Sequence, residues 1–215
     1  MKKRAVIING AIRVNGNTDT LVNQIIQGSS GTDVEVDLVT LREKKVGNCI
    51  GCYQCLAKSS CAIQDDMTQL RRFIENAKLL IFASPLYWCG VTGLMKTFID
   101  RLFFYYHLET KPRISGKKAV IITPMNQQNV VYESETLVHF YTRLLNCLGI
   151  KDIDMFFFGD IMKKEDLSQK PHYLKKAYRI GKNLAKIIEK DHDGIQSTRI
   201  RTIPFESGAN GKQKG

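Results

Sequence analysis

Short apolar runs alternate with amphipathic stretches along most of this chain. Residues 5–8, 79–83 and 119–122 are continuous apolar runs, the pattern of strands buried on both faces of a parallel sheet. Val34, Val36 and Leu38 alternate with charged residues and predict a half-buried strand. Residues 153–158 predict a fifth. Between these runs the apolar positions recur at helical spacing. Leu21, Val22, Ile25 and Ile26 share one face of a helix over 18–27, and Leu94, Phe98 and Leu102 do so over 93–104. Further helices are predicted from Asp65 or Asp66, either able to cap, to about Asn76, and over 133–147 and 173–190. Five strands alternating with five helices predict an α/β fold: a doubly wound five-stranded parallel sheet with helices on both faces. In such sheets ligands bind beyond the carboxyl ends of the strands, where strand order reverses.

The alternation stops near residue 190. Asp191-His-Asp-Gly194 breaks the last helix, and residues 208–215 have the composition of a disordered tail. Residues 196–205 are strand-like but read as ending the domain rather than joining its alternation. The chain therefore divides into a domain over 1–190 and a tail or oligomerisation arm over 191–215.

The bulk numbers add bounds. With 215 residues, 43% hydrophobic and 25% charged, the chain can bury one substantial core. The opening MKKRAVIING holds too short an apolar stretch for a signal peptide, and no run is long enough to span a bilayer. A cytoplasmic location is expected, with no membrane partner. The formal net charge is +11, but the basic residues are scattered and no recognition helix or zinc finger accompanies them. No nucleic-acid partner is expected; the charge reads as a solvated basic surface that also attracts phosphate-bearing cofactors or an acidic electron donor.

Three segments carry chemistry. The first strand runs into Asn9-Gly-Ala-Ile-Arg-Val-Asn-Gly-Asn-Thr18 and then a helix. A polar, glycine-containing loop there offers backbone N–H groups and a helix N-terminus to a phosphate, with Arg13, Asn17 and Thr18 as side-chain contacts. It is neither the dinucleotide fingerprint nor a P-loop. The third strand ends in Ser84-Pro-Leu-Tyr-Trp-Cys-Gly90, a stiff aromatic loop suited to a flat ring bearing a phosphate tail. The third segment is a run of cysteines, Cys49, Cys52, Cys55 and Cys61, spaced C-x2-C-x2-C-x5-C. The repeated x2 step is typical of iron–sulfur ligation, whereas structural zinc more often uses two separated pairs. Cluster ligands, cluster-free thiols and a zinc site are the three readings. Cys147, beside Leu144 and Leu148 on a helix face, is expected in the core.

These motifs, with Gly93-Leu-Met-Lys-Thr-Phe-Ile-Asp-Arg101 on the next helix, resemble the flavodoxin-fold NAD(P)H-dependent FMN reductases. The run Cys49-Ile-Gly-Cys-Tyr-Gln-Cys to Asp65-Asp66 is similar to that of the iron–sulfur flavoproteins within that group. The resemblance covers roughly residues 3–190. It implies a flavodoxin-like fold, FMN as cofactor and NAD(P)H as electron donor. The FMN phosphate would lie on Gly10, Ala11, Arg13, Asn15, Asn17 and Thr18, and the ring against Pro85, Leu86, Tyr87, Trp88, Cys89 and Gly90. A third contact would come from the loop after the fourth strand, near Thr123, Pro124 and Met125. Cys49, Cys52, Cys55 and Cys61 would hold a 4Fe–4S cluster. Two departures stand out: Ala11-Ile12 replaces the family's frequent Ser-Pro, removing a hydroxyl donor, and residues 123–129 lack the usual small residues and glycine.

The expected activity is FMN-dependent oxidoreduction of a quinone, nitro compound or flavin, with the flavin doing the chemistry and no catalytic side chain named. The alternative is a flavin-bearing electron carrier with no small substrate of its own. Expected partners are a small-molecule acceptor or a ferredoxin-like donor. A homodimer or homotetramer is expected from the aromatic surface around Trp88 and residues 103–106.

Overall fold

The structure is a computed structural model describing residues 2–190 and 197–203. Its strands are β1 (Lys3–Asn9), β2 (Val34–Thr40), β3 (Leu79–Ala83), β4 (Lys118–Pro124), β5 (Asp152–Phe158) and β6 (Ser197–Ile203). They form one sheet in the order β2-β1-β3-β4-β5-β6, with every neighbouring pair parallel. From β1 the chain winds outward to β2, then returns past β1 to β3. Strand order thus reverses between β1 and β3, and a crevice opens at their carboxyl ends.

Helices cover both faces, as the continuous apolar strands require. On one face lie α1 (Asn17–Ser29), α6 (Pro171–Lys182) and α7 (Leu184–Glu189), burying Leu21, Ile25, Tyr173 and Leu184 against Ala5, Ile7 and Ile81. On the other lie α3 (Met67–Asn76), α4 (Gly93–Arg101) and α5 (Val130–Cys147), burying Leu70, Phe98 and Tyr141 against Val6, Ile8 and Phe82. Helices α1 and α6 cross at Gly28 and Gly181. A Cβ on either glycine would run into the opposing backbone, at Tyr178 O or Ile25 O.

Two expectations about elements are corrected. The sheet has six strands, not five: β6 pairs with β5 from Asp152 opposite Ser197 to Phe158 opposite Ile203. It escaped the apolar-run criterion because it is an edge strand whose charges are satisfied laterally. Arg199 Nε donates to Asp154 Oδ1 at 2.6 Å, and the same guanidinium pairs with Asp152. The helix expected over 173–190 is two helices, divided at Asn183, whose side chain donates to Arg179 O at 2.7 Å and competes with the helical ladder. The remainder of the strand-like stretch, the break at 191–194 and the tail at 208–215 lie outside the described residues. Among the described residues, no helix is long and apolar enough to cross a membrane.

Candidate functional site

The loop after β1 is built around Asp19, in the first turn of α1. Asn9 Nδ2 donates to Asp19 Oδ1 at 2.6 Å, and Asn15 N donates to Asp19 Oδ2 at 2.7 Å. Asn15 sits at φ 54°, a left-handed conformation that asparagine tolerates. Arg42 Nη1 reaches Asp19 Oδ1 at 3.0 Å, so the acidic group in the first turn of α1 is neutralised from behind. Gly16 caps α1 without a side-chain hydrogen bond, which leaves the first-turn N–H groups available to a ligand. Arg13 leans across to Met162 O at 3.3 Å, and Asn17 Nδ2 donates to Lys163 O at 2.7 Å. Arg13, Gly16, Asn17 and Thr18 line a small pocket closed by Pro85, Tyr87, Pro124 and Ile161.

The loop after β3 is laced to it. Thr92 Oγ1 donates to Gly10 O at 2.7 Å and accepts from Met95 N at 3.2 Å, capping α4. A Cβ on Gly10 would stand 2.8 Å from Met95 Cβ, so this approach needs glycine. Tyr87 and Gly90 exchange two backbone hydrogen bonds of 2.9 Å. Between them Trp88 and Cys89 both take left-handed backbone, at φ 46° and 59°. Such a turn normally uses Asn and Gly, so two other residues here store strain of the kind that clusters at ligand sites. Trp88 stands fully exposed at the tip.

A groove of about 660 Å³ runs between this turn and the loops after β4 and β5. Its walls are Arg13, residues 85–89, residues 124–127, and Ile161 and Met162. It shares Arg13, Pro85, Tyr87, Pro124 and Ile161 with the small pocket, so the two adjoin across common walls near the β1–β3 reversal. Gln127 Oε1, on the groove wall, is a buried acceptor without a partner among the described residues, as is Asn17 Oδ1 by the pocket. Each can accept from a ligand N–H or O–H. The β5 loop is held in place by Asp166, whose Oδ2 accepts from Met162 N at 2.8 Å and Lys163 N at 2.7 Å. Those two hydrogen bonds hold the Asp166 carboxyl below its ordinary range.

The cysteine run forms a second site, packed on α4 and the turn that follows it. A short helix, α2 (Gln54–Lys58), lies within it where a loop was expected. Thr97 Oγ1 donates to Asn48 Oδ1 at 2.8 Å, and Tyr53 meets Phe103 edge-on with centroids 5.9 Å apart. The loop closes at its base through Asp65 and Asp66. Asp66 Oδ2 accepts from Lys45 N and Asp65 Oδ2 from Gly47 N, both at 2.8 Å. Asp65 Oδ1 accepts from Met67 N at 3.0 Å, so Asp65 also serves the start of α3.

Arg101, at the end of α4, grips Asp65 with hydrogen bonds of 2.6 and 3.1 Å and donates to Cys61 Sγ at 3.4 Å. Burial opposes ionisation of both acids, but Arg101 and backbone N–H groups outweigh it, and Asp65 and the Cys61 thiol are both shifted downward. Cys55 is shifted upward, by burial first and then by the neighbouring thiols.

Cys49, Cys52, Cys55 and Cys61 all line one cavity of about 460 Å³, together with Phe103, Tyr106 and Phe140. Among the described residues no three His, Cys, Asp or Glu side chains are drawn close enough to hold a metal ion. Cys147 lines the same cavity and is exposed, which corrects its expected place in the core. It ends α5 on the flank of the buried stripe formed by Leu137, Tyr141 and Leu145.

The model of the NADPH-dependent FMN reductase family matches residues 4–155. The chain belongs to this family. An iron-sulfur flavoprotein of Archaeoglobus fulgidus is 34% identical over 194 residues, covering 86% of this chain and 80% of its own. An iron-sulfur flavoprotein of Methanocaldococcus jannaschii is 31% identical over 98 residues, 46% of this chain and 51% of its own. The solved NAD(P)H:quinone oxidoreductase from Methanothermobacter marburgensis shares the fold, with a TM-score of 0.67 at 18% identity over 88% of this chain and 96% of that one. As an FMN reductase family member, the chain is an NAD(P)H-dependent FMN oxidoreductase by descent.

Within this FMN reductase, the residues singled out in the sequence separate into three sets. Ala11, Arg13, Asn17, Thr18, Pro85, Leu86, Tyr87, Trp88, Cys89 and Met125 line the pocket or groove. Gly10, Asn15 and Gly90 shape the loops without lining the depression. Thr123 is buried at the end of β4, its hydroxyl without a partner among the described residues. Ile161, Met162 and Gln127 were not foreseen. The available signal was position: residue 159 opens another loop at a strand's carboxyl end.

Proposed function

We propose that this FMN reductase passes electrons from NAD(P)H, through FMN in the groove, to a small planar oxidised acceptor of the quinone, nitro or flavin kind. The reading also places an iron–sulfur cluster on Cys49, Cys52, Cys55 and Cys61. The observation that carries it is the pair of adjoining depressions near the β1–β3 reversal, with a helix N-terminus at one end and a strained aromatic turn at the other. Bound FMN supplies hydride acceptance and one-electron exchange, and a cluster supplies one-electron exchange alone.

The residues then have defined tasks. Arg13 and the first turn of α1 hold the phosphate, with Asp19 kept from repelling it by Arg42. Residues 85–89 and 124–127 orient the ring and keep water from it, and Gln127 Oε1 accepts a ligand hydrogen bond. Four soft thiols around one cavity match the donor chemistry of an iron–sulfur cluster, and the loop must draw in to close them on it.

Protein purified without oxygen tests the reading. Release of one FMN per chain, NAD(P)H oxidation that depends on an added quinone, and bound iron with labile sulfide are expected. Iron-free protein that still oxidises NAD(P)H removes the cluster and leaves the reductase. Flavin-loaded protein that oxidises no NAD(P)H favours the carrier alternative.

We also propose a homo-oligomer, supported by exposed Trp88 and Met162 at the groove rim. The run at 103–106 contributes less than expected, because Phe104 and Tyr105 are buried and, of the four, Tyr106 alone is exposed. Light scattering at micromolar concentration should give a dimer or tetramer mass; a monomer mass contradicts this.

A further inference from the structure

Arg101 is the most completely enclosed guanidinium described in this protein, with 1% of its side chain exposed. An ion pair with Asp65 accounts for part of its setting. Yet the Asp65 carboxylate already accepts the N–H groups of Gly47 and Met67. The guanidinium fork does more than answer that charge. Nη1 also donates to Gly47 O at 2.8 Å, and Nη2 reaches Ile63 O and Cys61 Sγ, each at 3.4 Å. One rigid fork therefore ties the entry of the cysteine loop, its exit and one of its sulfurs, a task the single ammonium of lysine performs poorly. Cys61 is the one member of the run whose sulfur accepts a side-chain hydrogen bond among the described residues.

We infer that Arg101 is a positioning residue that fixes Cys61 and raises the reduction potential of the group held by the four cysteines. This rests on the reading that they hold an iron–sulfur cluster. Adding an electron to such a group adds negative charge. A buried cation with an N–H aimed at one of its sulfurs stabilises the reduced state more than the oxidised one. The placement also joins the two sites. Arg101 and Thr92 stand at opposite ends of α4, about 13.5 Å apart along the helix axis. The helix that is capped beside the flavin groove is the one that anchors the cysteine loop.

The test compares wild type, Arg101→Lys and Arg101→Gln, each reconstituted anaerobically with iron and sulfide. The readings are iron and FMN per chain and the midpoint potentials of cluster and flavin. Arg101→Gln should move the cluster's reduction equilibrium at least tenfold toward the oxidised form, about 59 mV more negative for a one-electron couple. The flavin potential should stay where it is, and Arg101→Lys, which keeps the charge, should shift less. If Arg101→Gln fails to hold its loop, the double variant Arg101→Gln/Asp65→Asn replaces the ion pair by an amide pair. It should show a shift of the same sign. Full iron in every variant at one common potential overturns the inference alone. Wild-type protein that takes up no iron overturns the cluster reading and this inference with it.

Discussion

The hydroxyl of Thr92 donates to the carbonyl of Gly10 across 2.7 Å, and this contact joins the loops after β1 and β3. Both residues are buried, and the same hydroxyl oxygen caps α4 through Met95 N. The crevice between the two loops is thus fixed from inside, beneath any ligand.

Thr92→Val keeps the volume and removes the hydroxyl. It loses a helix cap and leaves the Gly10 carbonyl without its donor, a cost of roughly 2 kcal/mol. Urea unfolding should show that loss, and flavin affinity should fall with it because the two loops are no longer held together. Stability lost with flavin affinity unchanged would mean that the lacing does not shape the groove.

Arg13→Ala removes one charge-assisted phosphate contact, worth about 1.5–3 kcal/mol. FMN affinity should drop roughly ten- to a hundredfold. The Met162 carbonyl that Arg13 now reaches is exposed to water, so little folding stability should be lost. An unchanged FMN dissociation constant would move the phosphate away from α1.

The Asp65–Arg101 pair predicts a pH effect. Arg101 and two backbone N–H groups lower the Asp65 carboxyl below its ordinary value of 3.8, against the opposing effect of burial. A depressed acid stabilises the fold above its unfolded pKa and loses that contribution as pH falls through its folded pKa. Asp65→Asn should therefore cost roughly 3 kcal/mol at pH 7, since it strands a buried guanidinium. The gap to wild type should begin to narrow as pH falls below 3.8, where the unfolded chain takes up a proton that folded Asp65 still excludes, and should go on narrowing until folded Asp65 is itself protonated. A gap that stays constant from pH 7 to pH 3 would show that the carboxylate charge is not what matters.

Much of this architecture is written locally. The apolar runs of β1, β3 and β4 each name a buried strand without reference to the rest of the chain. The loops that follow β1 and β3 were legible because their residue types, Arg13 and Asn17 in one and Tyr87 and Trp88 in the other, are chemically distinctive. What was not legible depends on partners distant in sequence. Strand β6, with Arg199 and Arg201 around Ile200, was legible as strand-like but not as a member of the sheet, where it lies beside β5 and Asp154 receives Arg199. Ile161 and Met162 look like ordinary loop residues until β5 is laid beside β4 and brings Ile161 N to Met125 O at 2.9 Å. Arg101 was visible in its motif, but its role rests on Asp65 and Cys61, dozens of residues earlier. Cys147 was misplaced because one helical turn of apolar neighbours does not say which side of the stripe meets the sheet.

Trp88 gives the most direct test of the central claim. It is the chain's single tryptophan and stands exposed on the groove wall, where we propose that the flavin ring lies. Protein stripped of flavin should be titrated with FMN and with riboflavin, which lacks the phosphate, while Trp88 emission is followed. FMN should quench the emission with one-to-one stoichiometry, and riboflavin should bind about a hundredfold more weakly for want of the phosphate contacts. Emission unmoved by FMN, or equal affinity for the two flavins, would contradict the placement of FMN across the β1–β3 reversal.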